Sequence, residues 1–91
     1  MSEVRQTLEI VNQRGLHARA SAKFVGAVAR MIDASVTVSK DGNEAAGGSI
    51  LGLMMLGAAK GDMIDLIVSG DDSEAVLEQL SALISDGFGE E

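Results

Sequence analysis

The segment SVTVSKDGNEAA, Ser35–Ala46, decides what kind of sheet this chain builds. Ser35 to Ser39 alternates with period two and sends Val36 and Val38 to one face. Lys40-Asp41-Gly42-Asn43 follows as a turn, because Asp-Gly between two strand-like runs is a strong hairpin signal. Glu44 to Ala46 is the short returning strand, so the sheet is antiparallel at this point. Upstream, Ala18 to Ile32 has helical spacing, with Ala18, Ala22, Val25, Ala29 and Ile32 on one stripe flanked by Val28. Before it, Val4 to Val11 reads as a strand with Leu8 and Ile10 inward, joined to the helix by the polar loop Asn12 to Gly15. Downstream, Gly47-Gly48-Ser49 opens a brief helix bearing Leu53 and Leu56, and Ala58 to Gly61 is a turn. Asp62 to Ser69 is a strand with Ile64, Leu66 and Val68 on one face. Asp71, Asp72 and Ser73 are N-cap candidates for a last helix carrying Val76, Leu77, Leu80, Leu83 and Ile84, closed by Gly87. The order is β-α-β-β-α-β-α. One apolar face per strand puts the helices on one side of the sheet. The expectation is an α+β open-faced β-sandwich, a four-stranded mostly antiparallel sheet with three helices on one face, with residues 1–91 forming a single domain.

Composition narrows the function. No cysteine is present, which excludes disulfides and thiolate metal sites, and the lone His17 cannot form a multi-histidine zinc site. A formal charge of −7 and only two aromatics, Phe24 and Phe88, argue against nucleic-acid binding. The charge is uneven. Residues 1–30 carry +3 (Arg5, Arg14, Arg19, Lys23 and Arg30 against two acids), whereas residues 31–91 carry −10. That asymmetry suggests a basic patch for an anionic partner, against the plainer possibility of ordinary solvated charges. The most apolar stretch, Ile50 to Ala59, is ten residues long, and a membrane span needs about twenty. No membrane insertion is expected, and no signal segment opens the chain, so the cytoplasm is the expected compartment.

The segment richest in chemistry is Asn12-Gln13-Arg14-Gly15-Leu16-His17-Ala18-Arg19. A histidine stands where a glycine loop meets a helix start, and first-turn amides lacking helical acceptors point toward any incoming anion. Arg19 can add charge-assisted bonds to phosphoryl oxygens. Histidine, amides and guanidinium together describe a phosphohistidine site, although many surface histidines have no role at all. Ser49 fits an N-cap. Ile50, Leu51, Met54 and Met55 exceed what one helix face needs, so they either complete the core or leave Leu51 and Met54 as an exposed patch suited to several partners. Gly47-Gly48 and Gly52 spell no nucleotide loop, because no Gly-Lys-Ser/Thr follows.

Gly15-Leu16-His17-Ala18-Arg19 with Ala22-Lys23-Phe24-Val25 resembles the active-site segment of the HPr family, phosphocarriers of the bacterial phosphoenolpyruvate-dependent phosphotransferase system. Ser49-Ile50-Leu51-Gly52-Leu53-Met54-Met55-Leu56 resembles that family's regulatory serine and docking helix. The likeness covers nearly the whole chain, in order. Asn12, Ala59-Lys60-Gly61 and Gly87-Phe88 resemble the nitrogen-related branch, NPr. The resemblance implies that His17 accepts a phosphoryl group from phosphorylated enzyme I and passes it to a histidine of an enzyme IIA domain, in sugar uptake or in nitrogen and carbon regulation. Arg19 would match the site arginine, Ser49 the target of an HPr kinase/phosphorylase, and Ala20, Ile50, Leu51 and Met54 the partner-binding surface. Most members have proline after the arginine, where it suits a first helical turn. Here Ala20-Ser21 stands instead, and no reacting group is lost.

The expectation is therefore a stoichiometric carrier within a relay rather than an enzyme turning over a small molecule, with no cofactor, no metal and a monomeric chain. A ferredoxin-like small-ligand regulatory module has a similar element order and would instead dimerise through its sheet without phosphorylation. A purely regulatory protein of the HPr type would be favoured by a missing histidine, and His17 is present.

Overall fold

The computed structural model describes residues 2–31 and 33–90. Ile32, assigned above to the helical stripe, lies outside the described residues. Strands β1 (Ser2–Glu9), β2 (Ala34–Lys40), β3 (Asn43–Ala46) and β4 (Met63–Gly70) alternate with helices α1 (Ala18–Val28), α2 (Ile50–Met55) and α3 (Ser73–Ser85) in the expected order. A short 3-10 turn, Gly87–Gly89, follows α3. The sheet order is β1-β4-β2-β3, and every pairing is antiparallel.

The register sets the two faces of the sheet. Val4 pairs with Val68, and Val68 with Val36, while Leu66 stands between Gln6 and Val38 and Leu8 opposite Ile64. These side chains form the floor of one hydrophobic core, which Phe24 of α1, Leu53 of α2 and Leu80 and Ile84 of α3 close from the helix side. Gln6 points to that same side at the sheet edge, where Ser81 of α3 donates its hydroxyl to it at 3.2 Å. The opposite face is polar. Thr7 donates to Asp65 at 2.6 Å, and Arg5 pairs with Asp65 at 3.6 Å. The hairpin turn has positive φ at both Asp41 (51°) and Gly42 (86°), the handedness that a two-residue turn between right-twisted strands requires.

Two sequence expectations need correction. Helix α1 ends at Val28, four residues short of Ile32; its fully buried residues are Ala20, Ser21 and Phe24, with Val25 and Val28 of the expected stripe partly buried against the core. Ala18, Ala22 and Ala29 are exposed instead. Alanine is too small to reveal an inward face by itself, and the buried Ser21 hides the true stripe by donating its hydroxyl to the Leu16 carbonyl at 3.2 Å. The first strand also sits earlier than Val4 to Val11. Ile10 is buried but lies beyond the ladder, its amide donating to Asp62 O at 2.9 Å.

Candidate functional site

The loop between β1 and α1 is pinned by two backbone hydrogen bonds. Gly15 donates its amide to Asn12 O at 3.2 Å, and Leu16 donates to Ala58 O at 3.0 Å. Gly15 has φ +62°, and a Cβ there would run into the Ala58 carbonyl. Only glycine allows the loop to lie against the 58–61 turn. The loop delivers His17 to the N-cap position of α1 with extended backbone (φ −75°, ψ −179°).

An N-cap side chain usually accepts an amide of the first turn, but His17 makes no such bond. Among the described residues no side chain caps the first-turn amides of Ala18, Arg19 and Ala20, at the positive end of an 11-residue helix. The His17 side chain is 20% exposed, and its Nε2 lies 2.6 Å from Glu90 Oε2. Asn12 Nδ2 donates to the other oxygen of the same carboxylate, Glu90 Oε1, at 3.0 Å, and to Gly15 O at 2.8 Å. The Glu90 carboxyl is held below its ordinary value of 4.5, first by the Asn12 bond and further by the hydrogen bond and charge of His17 and the charge of Lys23, while partial loss of hydration opposes them. It is therefore ionised and can only accept. Nε2 of His17 must carry the hydrogen in this pair, and in the neutral ring Nδ1 is left with the lone pair.

Around this ring lies an open recess of about 480 Å³ lined by Gln13, Arg14, His17, Arg19, Lys23, Gly89 and Glu90. Neither Arg14 nor Arg19 forms an ion pair with a carboxylate among the described residues. Lys23, one turn along α1, donates to Phe88 O at 2.8 Å. Phe88 is fully buried although its φ of +57° is unusual for a non-glycine residue, and it fastens the C-terminal strap that brings Glu90 to His17. At this recess the basic half of the sequence meets its acidic half.

Ser49 is the N-cap of α2, and its hydroxyl accepts the Gly52 amide at 2.9 Å. Leu53 alone of α2 is fully buried, while Ile50 (41% exposed), Leu51 (68%), Met54 (41%) and Met55 (77%) stand in solvent. The exposed-patch alternative is the one observed. Helices α1 and α2 pack against each other, so His17 and this patch are carried by neighbouring elements. Ala20 is the exception among the expected partner-contacting residues. It is completely buried in the core and presents no side chain to a partner, because the inward face of α1 is turned from the stripe the alanines suggested. Sequence reasoning missed Glu90, Asn12 and the anchoring role of Phe88. An aromatic between two glycines, Gly87-Phe88-Gly89, after the last helix was the available signal for a docked tail.

Comparison with known proteins gives this site a context. The chain matches the family model "PTS HPr component phosphorylation site" over residues 4–86. It is 45% identical over 87 residues to the phosphocarrier protein HPr of Neisseria meningitidis, covering 96% of this chain and 97% of that one. It is 38% identical to the phosphocarrier protein NPr of Escherichia coli K12, covering 97% and 98%. The crystal structure of HPr-C-His from Thermoanaerobacter tengcongensis superposes with a TM-score of 0.88 at 41% identity, covering 100% of this chain and 99% of that one.

Proposed function

From the premise that the chain belongs to the HPr family of phosphocarriers of the phosphotransferase system, we propose that His17 receives a phosphoryl group from phosphorylated enzyme I and passes it to a histidine of an enzyme IIA domain. The observation that carries this reading is the His17–Glu90 pair at 2.6 Å, which commits Nε2 to hydrogen bonding and reserves the Nδ1 lone pair for phosphorus. In the transfer, the N–P bond on the donor breaks as a bond from Nδ1 to phosphorus forms, and no proton leaves the ring. The phosphorylated imidazole keeps its Nε2–H and gains a positive charge, which the Glu90 carboxylate offsets. Arg19, Arg14 and the open amides at the start of α1 meet the phosphoryl oxygens. The partner completes the in-line geometry, since transfer between two histidines depends on positioning and charge stabilisation.

Exposed Ile50, Leu51 and Met54 on α2 supply the apolar part of the docking surface for enzyme I and enzyme IIA. Ser49 is a regulatory position for an HPr kinase/phosphorylase, in addition to its capping role. Residues 1–91 act as one carrier domain, and one chain supplies every group of the site, so a monomer suffices. Among the described residues no helix is long and apolar enough to cross a membrane, and we place the carrier in the cytoplasm with its partners. Incubation with enzyme I, magnesium and phosphoenolpyruvate should attach one acid-labile, base-stable phosphate. Its persistence in His17→Ala would remove His17 from the role. A ferredoxin-like ligand-binding module would show no such label.

A further inference from the structure

We propose that Asn12 is a positioning residue for phosphoryl transfer, acting on His17 through Glu90 and through the Gly15 carbonyl. The proposal deepens the carrier reading of His17 and rests on it. Asn12 is only 5% exposed, so it offers almost no surface to a partner or its phosphate. Its single NH₂ group serves two acceptors, Gly15 O at 2.8 Å and Glu90 Oε1 at 3.0 Å. The network fixes the amide orientation, because the reverse would set Oδ1 against two oxygens. Gly15 O belongs to the loop that leads into His17, and Glu90 Oε2 binds the His17 ring. One side chain thus ties down both the backbone approach and the ring of the acceptor.

The other half of the amide points to the same conclusion. Asn12 Oδ1 is buried and has no partner among the described residues. An orphaned buried carbonyl opposes folding, and an apolar residue of similar size would avoid that cost. The asparagine is therefore present for its donors. Asparagine is also the residue type that suits this position, since aspartate has no donor and would repel Glu90, and serine has only one. The turn does not depend on the side chain alone, since Gly15 also donates its backbone amide to Asn12 O. The strap has its own anchors in buried Phe88 and in the Lys23 bond to Phe88 O. What Asn12 adds is the alignment of the carboxylate. Arg14, Arg19 and Lys23 line the same recess and compete for Glu90 once it is released.

The test is the tautomer of the His17 ring, read by ¹⁵N–¹H NMR of the free full-length protein at a pH where the ring is neutral. The wild type should hold the hydrogen on Nε2. Asn12→Ala should weaken that preference by about tenfold, as expected when a charge-assisted bond loses its alignment. Asn12→Asp, of the same shape but without donors, is the second variant and should act in the same direction. In a Glu90→Ala background, Asn12→Ala should produce no further tautomer change. Phosphorylation by enzyme I should show a lower kcat with KM unchanged, because a buried residue does not contact the donor. An unchanged tautomer ratio in folded Asn12→Ala or Asn12→Asp overturns the proposal, and so does an undiminished Asn12→Ala effect without Glu90. The tautomer measurement needs neither phosphate nor partner, so it stands or falls separately from the assignment of His17 as acceptor.

Discussion

Replacing Phe88 by alanine tests whether the C-terminal strap is held by its ring. Ordering residues 87–90 costs about 1–2 kcal/mol per residue, or about 4–8 kcal/mol in all. Phe88 also sits at φ +57°, a left-handed conformation that costs a non-glycine residue roughly 1–2 kcal/mol. Burial of the whole ring offsets part of these costs, beside the Lys23 bond to Phe88 O and the Asn12 bond to Glu90. Truncation of a buried phenylalanine to alanine removes about 3–5 kcal/mol when its surroundings stay in place. Here the strap lies after the last helix and can leave, which limits the loss to about 3 kcal/mol, the lower end of that range. At about 4–8 °C per kcal/mol for a chain of this size, the melting temperature should fall by about 12–24 °C. Thermal unfolding by circular dichroism gives that number. The NMR signals of the His17 ring should move at the same time to those of Glu90→Ala, since the carboxylate departs with the strap. A drop below about 4 °C, or His17 signals identical to wild type, would refute the anchoring argument, because the ring would then not be what holds Glu90 in place.

The remaining predictions concern charge and regulation. Ser49→Ala should cost about 0.5–2 kcal/mol through the lost bond to the Gly52 amide. Phosphorylated Ser49 should keep the native dichroism yet slow phosphorylation of His17, because a dianion beside Leu51 must lose water on docking; equal rates for the two forms would leave the serine as a cap only. Arg19→Ala should slow transfer from enzyme I about tenfold or more with little change in melting temperature, and rising salt should slow the wild type; rates indifferent to both would exclude electrostatic docking. Glu90 titrates below its unfolded-state value of 4.5, so its contribution is complete above that pH and disappears as pH falls through the lower folded value. The melting-temperature difference between wild type and Glu90→Gln should accordingly be largest above pH 4.5 and shrink in more acidic solution.

The parts of the fold that were legible in the sequence are those fixed by local chemistry. The 35–46 hairpin was readable because Val36 and Val38 alternate and Asp41-Gly42 accepts positive φ at both positions. Ser49 was readable as a cap because the signal lies within one turn. The face of α1 was not. The expected stripe of Ala18, Ala22, Val25, Ala29 and Ile32 leaves its alanines exposed, whereas Phe24 and the pairing of Ser21 with Leu16 O turn Ala20 inward, so that Ala20 presents no side chain to a docking surface. At the site, His17 and Arg19 stood out because the loop, the ring and the helix start are contiguous in the chain. Glu90 did not, because it reaches His17 across 73 positions and long-range packing of the strap brings it there, through buried Phe88 and the Lys23 bond to Phe88 O. Asn12 stood in the loop that the sequence singles out, but its role could be read only once its two acceptors were in view.

The most direct test of the central claim is where phosphorus attaches. Protein uniformly labelled with ¹⁵N, phosphorylated through enzyme I and phosphoenolpyruvate, should show ³¹P coupling to a single nitrogen, Nδ1 of His17, while Nε2 keeps its hydrogen and its carboxylate partner. Phosphorus on Nε2 of His17, or on any other residue, would contradict the account, since the Glu90 contact at 2.6 Å is what reserves Nδ1 for the phosphoryl group.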